Sequence, residues 1–206
     1  MSREFLMRAA GRASRHARQD MRLFLAIELD DAAREQLIAA QRAMEPFLGK
    51  ASLTKPANLH LTLKFLGEVE SRRAEALRES LAKVRGPAGI ELAAVGVECF
   101  PTRGPVRIVA AELGGQVEAL SAVHAAIEQR CRFLGFERET RAYRPHVTLA
   151  RARPTLPPAT RQCRAEATQT LWPGPALLVK EFVLVQSVLK PAGAEYSVVA
   201  RFAFAG

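Results

Sequence analysis

Residues 58–66 read NLHLTLKFL and residues 146–151 read HVTLAR. Each holds the same pattern of His, apolar, Thr, apolar: His60-Leu61-Thr62-Leu63 and His146-Val147-Thr148-Leu149. Strict alternation is the period of a half-buried strand, whose successive side chains point to opposite faces. Each copy therefore turns Leu or Val toward a core and sets an imidazole and a hydroxyl side by side on the other face. With four histidines and nine threonines in 206 residues, a given His has about a 4% chance of Thr two positions on. Two of four in the same apolar frame is well beyond chance. One copy alone reads as an ordinary polar strand face; the pair reads as one site built from two strands.

The segments around the motifs alternate between strand and helix patterns. Arg22–Leu29 (RLFLAIEL) is an apolar run between charges and predicts a buried strand. Asp30 is placed to cap a helix over about 31–48, with Leu37, Met44 and Leu48 along one side. Gly67 closes the first motif strand. Ser71 caps a second helix with a stripe of Ala74, Leu77, Leu81 and Val84, stopped by Gly86-Pro87. Ile90–Phe100 and Val106–Leu113 predict a hairpin joined through Pro101–Pro105. A helix over about 116–134 carries Val117, Leu120, Ile127, Cys131 and Leu134, and Gly135 ends it. Residues 152–176 are Pro-rich and irregular, with room for a short helix near 159–168. Leu177–Val188 and Tyr196–Phe204 are the last strands, around a turn at Pro191–Gly193. Strands outnumber helices and several are neighbours in sequence, which predicts an α+β fold with antiparallel sheets rather than a doubly wound parallel sheet. There is no GxGxxG and no P-loop.

Two histidines facing one site suit phosphodiester cleavage. A neutral imidazole takes a proton from attacking water, and an imidazolium gives one to the leaving oxygen; both forms are accessible because His titrates near about 6.5. Thr62 and Thr148 can donate hydrogen bonds to non-bridging oxygens, where charge builds up. The motif histidines lie 86 residues apart with no HxH, HxxxH or carboxylate cluster beside them, so no metal site is expected. His124 lies in a helical stripe between Leu120 and Ile127, with Glu128 at i+4, and reads as a packing residue or surface pair. His16 sits in the N-terminal tail, where solvation explains it.

The bulk properties bound the setting. The formal charge is +9, and residues 1–20 carry five arginines against Glu4 and Asp20. The remaining residues keep an excess of six, which favours a polyanionic partner such as nucleic acid; a generally basic or solubilised surface is the plain alternative. Cys99, Cys131 and Cys163 are odd in number and lack CxxC spacing, so no disulfide framework or zinc ribbon is expected and a reducing cytoplasm fits. No apolar run reaches the roughly 18 residues that span a bilayer, and no membrane association is expected. The expected organisation is a basic, disordered extension over 1–20, or upstream sequence before a start at Met21, followed by one domain over 21–206.

NLHLTLKFLGEV and YRPHVTLAR resemble the two signature segments of the 2H phosphoesterase superfamily, and within it the RNA 2′,3′-cyclic phosphodiesterases, also called 2′-5′ RNA ligases. RLFLAIEL, TKPANLH and FVLVQSVL…AEYSVVARF extend the resemblance from about Met21 to Phe204. The chain departs from the family pattern at Leu53-Thr54-Lys55, where an aromatic is common, and in VRIVAAEL, which lacks a Trp. The resemblance implies a bilobal fold in which two antiparallel sheets form a central cleft, with helices outside. It implies His60 as proton donor to the leaving oxygen and His146 as proton acceptor, with Thr62, Thr148 and Arg151 binding the phosphate. Strand alternation alone sets Arg151 on the face opposite His146, so that role requires a bend. Lys64 and Tyr143 are further, weaker candidates. The implied substrate is RNA ending in a 2′,3′-cyclic phosphate, tRNA fragments included, opened to a 2′-phosphate by a monomer without cofactor; joining of RNA ends through a 2′-5′ linkage is the reverse chemistry. A 2H enzyme for a small cyclic phosphate and a non-catalytic RNA- or nucleotide-binding module are the other readings.

Overall fold

A computed structural model describes residues 20–48, 51–101, 106–152 and 176–204. The strands are β1 (Met21–Glu28), β2 (Ser52–Leu53), β3 (His60–Val69), β4 (Ile90–Phe100), β5 (Ile108–Gly115), β6 (His146–Arg151), β7 (Leu177–Val179), β8 (Glu181–Lys190) and β9 (Gly193–Ala203). The helices are α1 (Asp31–Met44), α2 (Ser71–Leu81) and α3 (Val117–Phe133). All strand pairs are antiparallel, in the order β7-β4-β5-β6-β3-β1-β8-β9, with β2 added on β6. The fold is α+β, as expected. Its two lobes, β3-β1-β8-β9 and β7-β4-β5-β6, meet along β3 and β6, where a single register pair, Leu61 with Val147, joins them.

The main core lies between one face of the sheet and the helices. It contains Leu23, Leu25 and Ile27 of β1, the α1 residues Leu37 and Met44, the α2 stripe Ala74, Leu77 and Leu81, and Leu120, Ile127 and Cys131 of α3. The other face of the first lobe carries a small apolar cluster of Phe24, Ala26, Val183 and Val185. β1 is thus covered on both sides, which is why its sequence is a continuous apolar run.

Several boundaries differ from expectation. α1 ends at Met44 because Pro46 follows, and Glu45–Phe47 tightens into a 3-10 turn. β3 does not stop at Gly67 but runs to Val69; Gly67 has φ +75° and sits where β3 slips by one residue against β1, between the pairs Leu23–Gly67 and Phe24–Phe65. Glu70, not Ser71, occupies the N-cap of α2. The expected strand Leu177–Val188 divides at Lys180. β7 pairs with β4 at one end of the sheet, whereas β8 pairs with β1 in the other lobe. Asp30 does cap α1, accepting from the Ala33 amide at 2.8 Å. Gly135 (φ +75°) ends α3 in a Schellman motif, its amide bonding to Arg132 and that of Phe136 to Cys131. The extension over 1–20, apart from Asp20, the short helix near 159–168 and Cys163 lie outside the described residues.

Candidate active site

The lobe seam creates the site. Continuing the antiparallel register past Leu61–Val147 sets His60 across from Thr148 and Thr62 across from His146. Leu61 and Val147 are fully buried, so the four polar side chains share the opposite, open face. The neighbouring strands repeat the arrangement: Glu28 and Ala26 of β1 pair with His60 and Thr62, and Glu112 and Ala110 of β5 pair with His146 and Thr148. The site therefore has an approximate two-fold axis through the seam.

Both imidazoles are tethered alike. His60 Nδ1–H donates to the Asn58 carbonyl at 2.7 Å, and His146 Nδ1–H donates to the Arg144 carbonyl at 2.8 Å. A carbonyl can only accept, so each Nδ1 carries the proton and each Nε2 is the working nitrogen. In the neutral ring of His60, Nε2 accepts from the Thr62 hydroxyl at 3.0 Å. The Asn58 anchor is itself fixed, since its amide donates to the Ala194 carbonyl at 2.9 Å. Arg34 of α1 holds the same approach by donating to the Pro56 carbonyl at 2.7 Å. His60 packs against Phe24 and edge-on to Tyr196, at 4.9 and 5.5 Å between ring centres, and His146 lies 5.3 Å from Phe100. Burial pushes the His60 pKa below its ordinary value; the bond to Asn58 opposes this, and the charges of Arg151 and His146 add to the depression.

Each motif carries a β-bulge at its second apolar residue. Against β1, Thr62 pairs with Ala26 and Lys64 with Leu25, so Leu63 is skipped. Against β5, Thr148 pairs with Ala110 and Ala150 with Val109, so Leu149 is skipped. The extra residue reverses the alternation. Arg151 consequently shares the face of His146 and Thr148, which supplies the bend its expected role required. The same reversal turns Lys64 away from the cleft: it is 6% exposed and donates to Glu128 Oε1 at 2.7 Å and to the Glu137 carbonyl at 2.8 Å. Tyr143 is also outside the cleft, stacked on His124 at 3.8 Å.

Two residues that the sequence reading did not assign to the site hold these bulges. Gln41 of α1 is 3% exposed and donates from Nε2 to the carbonyls of Leu149 and Thr54, both at 2.8 Å. His124 of α3 bonds to the Leu63 carbonyl. Both are polar residues within apolar helical stripes, Gln41 between Leu37 and Met44 and His124 between Leu120 and Ile127, and that misplacement is the signal that could have found them. Among the described residues, no group of three His, Cys, Asp or Glu side chains is placed to hold a metal ion.

A curled antiparallel sheet that offers one His-x-Thr motif from each lobe to a shared cleft defines a 2H-type phosphoesterase. The chain belongs to the 2′-5′ RNA ligase superfamily, whose family model matches residues 27–190. It is 33% identical over 199 residues to a Thermus thermophilus protein named RNA 2′,3′-cyclic phosphodiesterase, covering 90% of this chain and 91% of that protein. An Archaeoglobus fulgidus protein of the same name is 29% identical over 176 residues, covering 85% and 96%. Among solved structures, Escherichia coli LigT complexed with 3′-AMP superposes with a TM-score of 0.72 at 27% identity, covering 91% of this chain and all of that one.

Proposed function

We propose that this protein hydrolyses 2′,3′-cyclic phosphate ends of RNA to 2′-phosphomonoesters by acid–base catalysis between His60 and His146. The observation that carries the reading is the twinned site: two imidazoles tethered alike through Nδ1, each turning Nε2 away from its backbone anchor, lie across the seam from each other with Arg151 on the same face. Water attacks phosphorus as His146 Nε2 removes its proton. The P–O3′ bond breaks, and His60 Nε2–H protonates the departing 3′ oxygen. Thr62, Thr148 and the forked guanidinium of Arg151 hold the non-bridging oxygens as negative charge gathers there. With a 5′-hydroxyl in place of water, the same groups join RNA ends through a 2′-5′ linkage.

The test is an oligonucleotide ending in a 2′,3′-cyclic phosphate, incubated with EDTA, with the 2′ and 3′ products resolved. Turnover to the 2′ product is expected. His60→Ala and His146→Ala should each lower it by about 10²–10⁴-fold, the usual contribution of a positioned proton donor or acceptor. Robust turnover by either variant would overturn the mechanism.

The lowered pKa of His60 favours a second assignment, in which neutral His60 is the acceptor and His146 the donor. Sulfur in place of the 3′ oxygen leaves without needing a proton. That substrate should restore His60→Ala protein and not His146→Ala protein; the opposite pattern establishes the reversed roles.

A further inference from the structure

The bulges that swing Arg151 into the cleft have a second product. Arg151 is the fifth residue after His146, and the fifth residue after His60 is Phe65. Phe65 lies just beyond the Leu63 bulge, as Arg151 lies just beyond the Leu149 bulge. In register it pairs with Phe24, while Thr62 pairs with Ala26, so Phe65 stands on the same face as His60 and Thr62. The two-fold relation of the site thus matches a guanidinium in one lobe with a phenyl ring in the other.

That ring is 70% exposed. Its ring neighbour is Phe24, at 6.1 Å, and Phe24 is itself buried against His60 and Tyr196. Phe24 therefore backs Phe65 and leaves its ring open to solvent beside the cleft. Phe65 also borders a hollow of about 450 Å³ lined by Arg73, Phe136 and Glu137. An exposed phenyl ring is costly in water and offers no hydrogen bond to a phosphate. It does offer a flat face, and every nucleobase has a matching one. A positively charged surface beside a stacking ring is how single-stranded nucleic acid is held without reading its sequence.

We infer that Phe65 is a stacking platform for the base of the terminal nucleotide, so that the cleft grips the end of an RNA strand through phosphate on the Arg151 side and through base on the Phe65 side. This rests on the proposed phosphodiesterase reading and adds a preference to it. The platform favours base-bearing substrates over small cyclic phosphates, with little discrimination among the four bases.

The experiment compares two RNA oligonucleotides with 2′,3′-cyclic phosphate ends, identical except that one lacks the terminal base. Phe65→Ala should raise KM for the base-bearing substrate roughly 10-fold or more, leave kcat near wild type, and leave the abasic substrate unaffected. Phe65→Trp should restore the base-bearing KM. The exposed ring can be removed without opening the core, and a melting curve confirms that the variant is folded. Equal losses on both substrates, or no loss on either, would overturn the platform. If wild type turns over neither, the phosphodiesterase reading fails. The platform is then judged by fluorescence anisotropy with 2′-phosphate-ended RNA, with and without the terminal base: weaker binding of the base-bearing RNA alone by Phe65→Ala supports it, and unchanged binding overturns it.

Discussion

In the proposed mechanism His60 is the donor, held in surroundings that disfavour its charged form. Burial is the main reason, and the Arg151 guanidinium adds to it. A proton donor loses activity as pH rises through its own pKa, and kcat/KM reports the free enzyme. The alkaline limb of kcat/KM should therefore fall below the ordinary value of 6.5. A bound phosphate brings negative charge between the two imidazoles and favours the imidazolium, so the limb in kcat should lie at higher pH. A pH profile measured under both regimes checks this. An alkaline limb of kcat/KM well above 6.5 would count against His60 as donor. His124 is depressed in the same direction, again chiefly by burial. For both residues the unfolded chain binds the proton more strongly, so their neutral burial stabilises the fold above 6.5 and that stability is lost as pH falls through the lowered values.

At the scale of elements, the motif strands were legible because alternation alone specifies them, and the apolar stripes gave the helix faces that are buried. The bulges were not legible. Leu63 and Leu149 look like ordinary core positions, and nothing in a leucine marks an extra residue in a ladder. The break at Lys180 was hidden for a related reason: LLVKEFVLV is one apolar run, and only pairing partners in different lobes divide it. Arg151 shows the consequence, since local alternation assigns it the wrong face and the Leu149 bulge reverses that. Gln41 holds the carbonyl of that bulge, so it should act on phosphate binding through Arg151. Gln41→Leu is expected to lower kcat/KM by roughly 10- to 100-fold, as a misplaced clamp does. In an Arg151→Ala background the same change should cost less than about threefold, because the group it positions is gone. Equal costs in both backgrounds would reduce Gln41 to a stabilising contact. The Lys64–Glu128 pair between β3 and α3 makes a separate stability test. Lys64→Met leaves the half-buried Glu128 without its ammonium partner and should destabilise by about 1–3 kcal/mol, whereas Lys64→Met with Glu128→Leu should recover most of that in a denaturant titration.

For the whole molecule, the family resemblance implied two lobes, and the structure adds how little holds them in register: one pair at the seam, with α1 side chains bracing both sides. Arg34 donates to the segment before β3, and Gln41 donates to the Leu149 carbonyl in β6. The helix thus fixes the spacing of the two histidines, which the single seam pair would leave to the sheet alone. The charge excess acts at this same scale. The chain carries +9, and six of those charges lie after residue 20. In the proposed mechanism a single phosphate in the cleft engages Arg151 and the motif side chains. If the excess serves the substrate, it acts on phosphates further along the strand, and each one neutralised releases condensed counterions. For single strands, log affinity then falls against log salt with a slope of about −0.7 for each phosphate held. An oligonucleotide of ten residues with a cyclic phosphate end should show a kcat/KM slope steeper by about −1.4 or more than a mononucleotide 2′,3′-cyclic phosphate, equivalent to two or more additional phosphates. Both substrates share the same reacting phosphate, so the difference isolates the rest of the strand. Equal slopes would mean that the protein holds only the terminal phosphate and that its positive charge has no part in binding RNA.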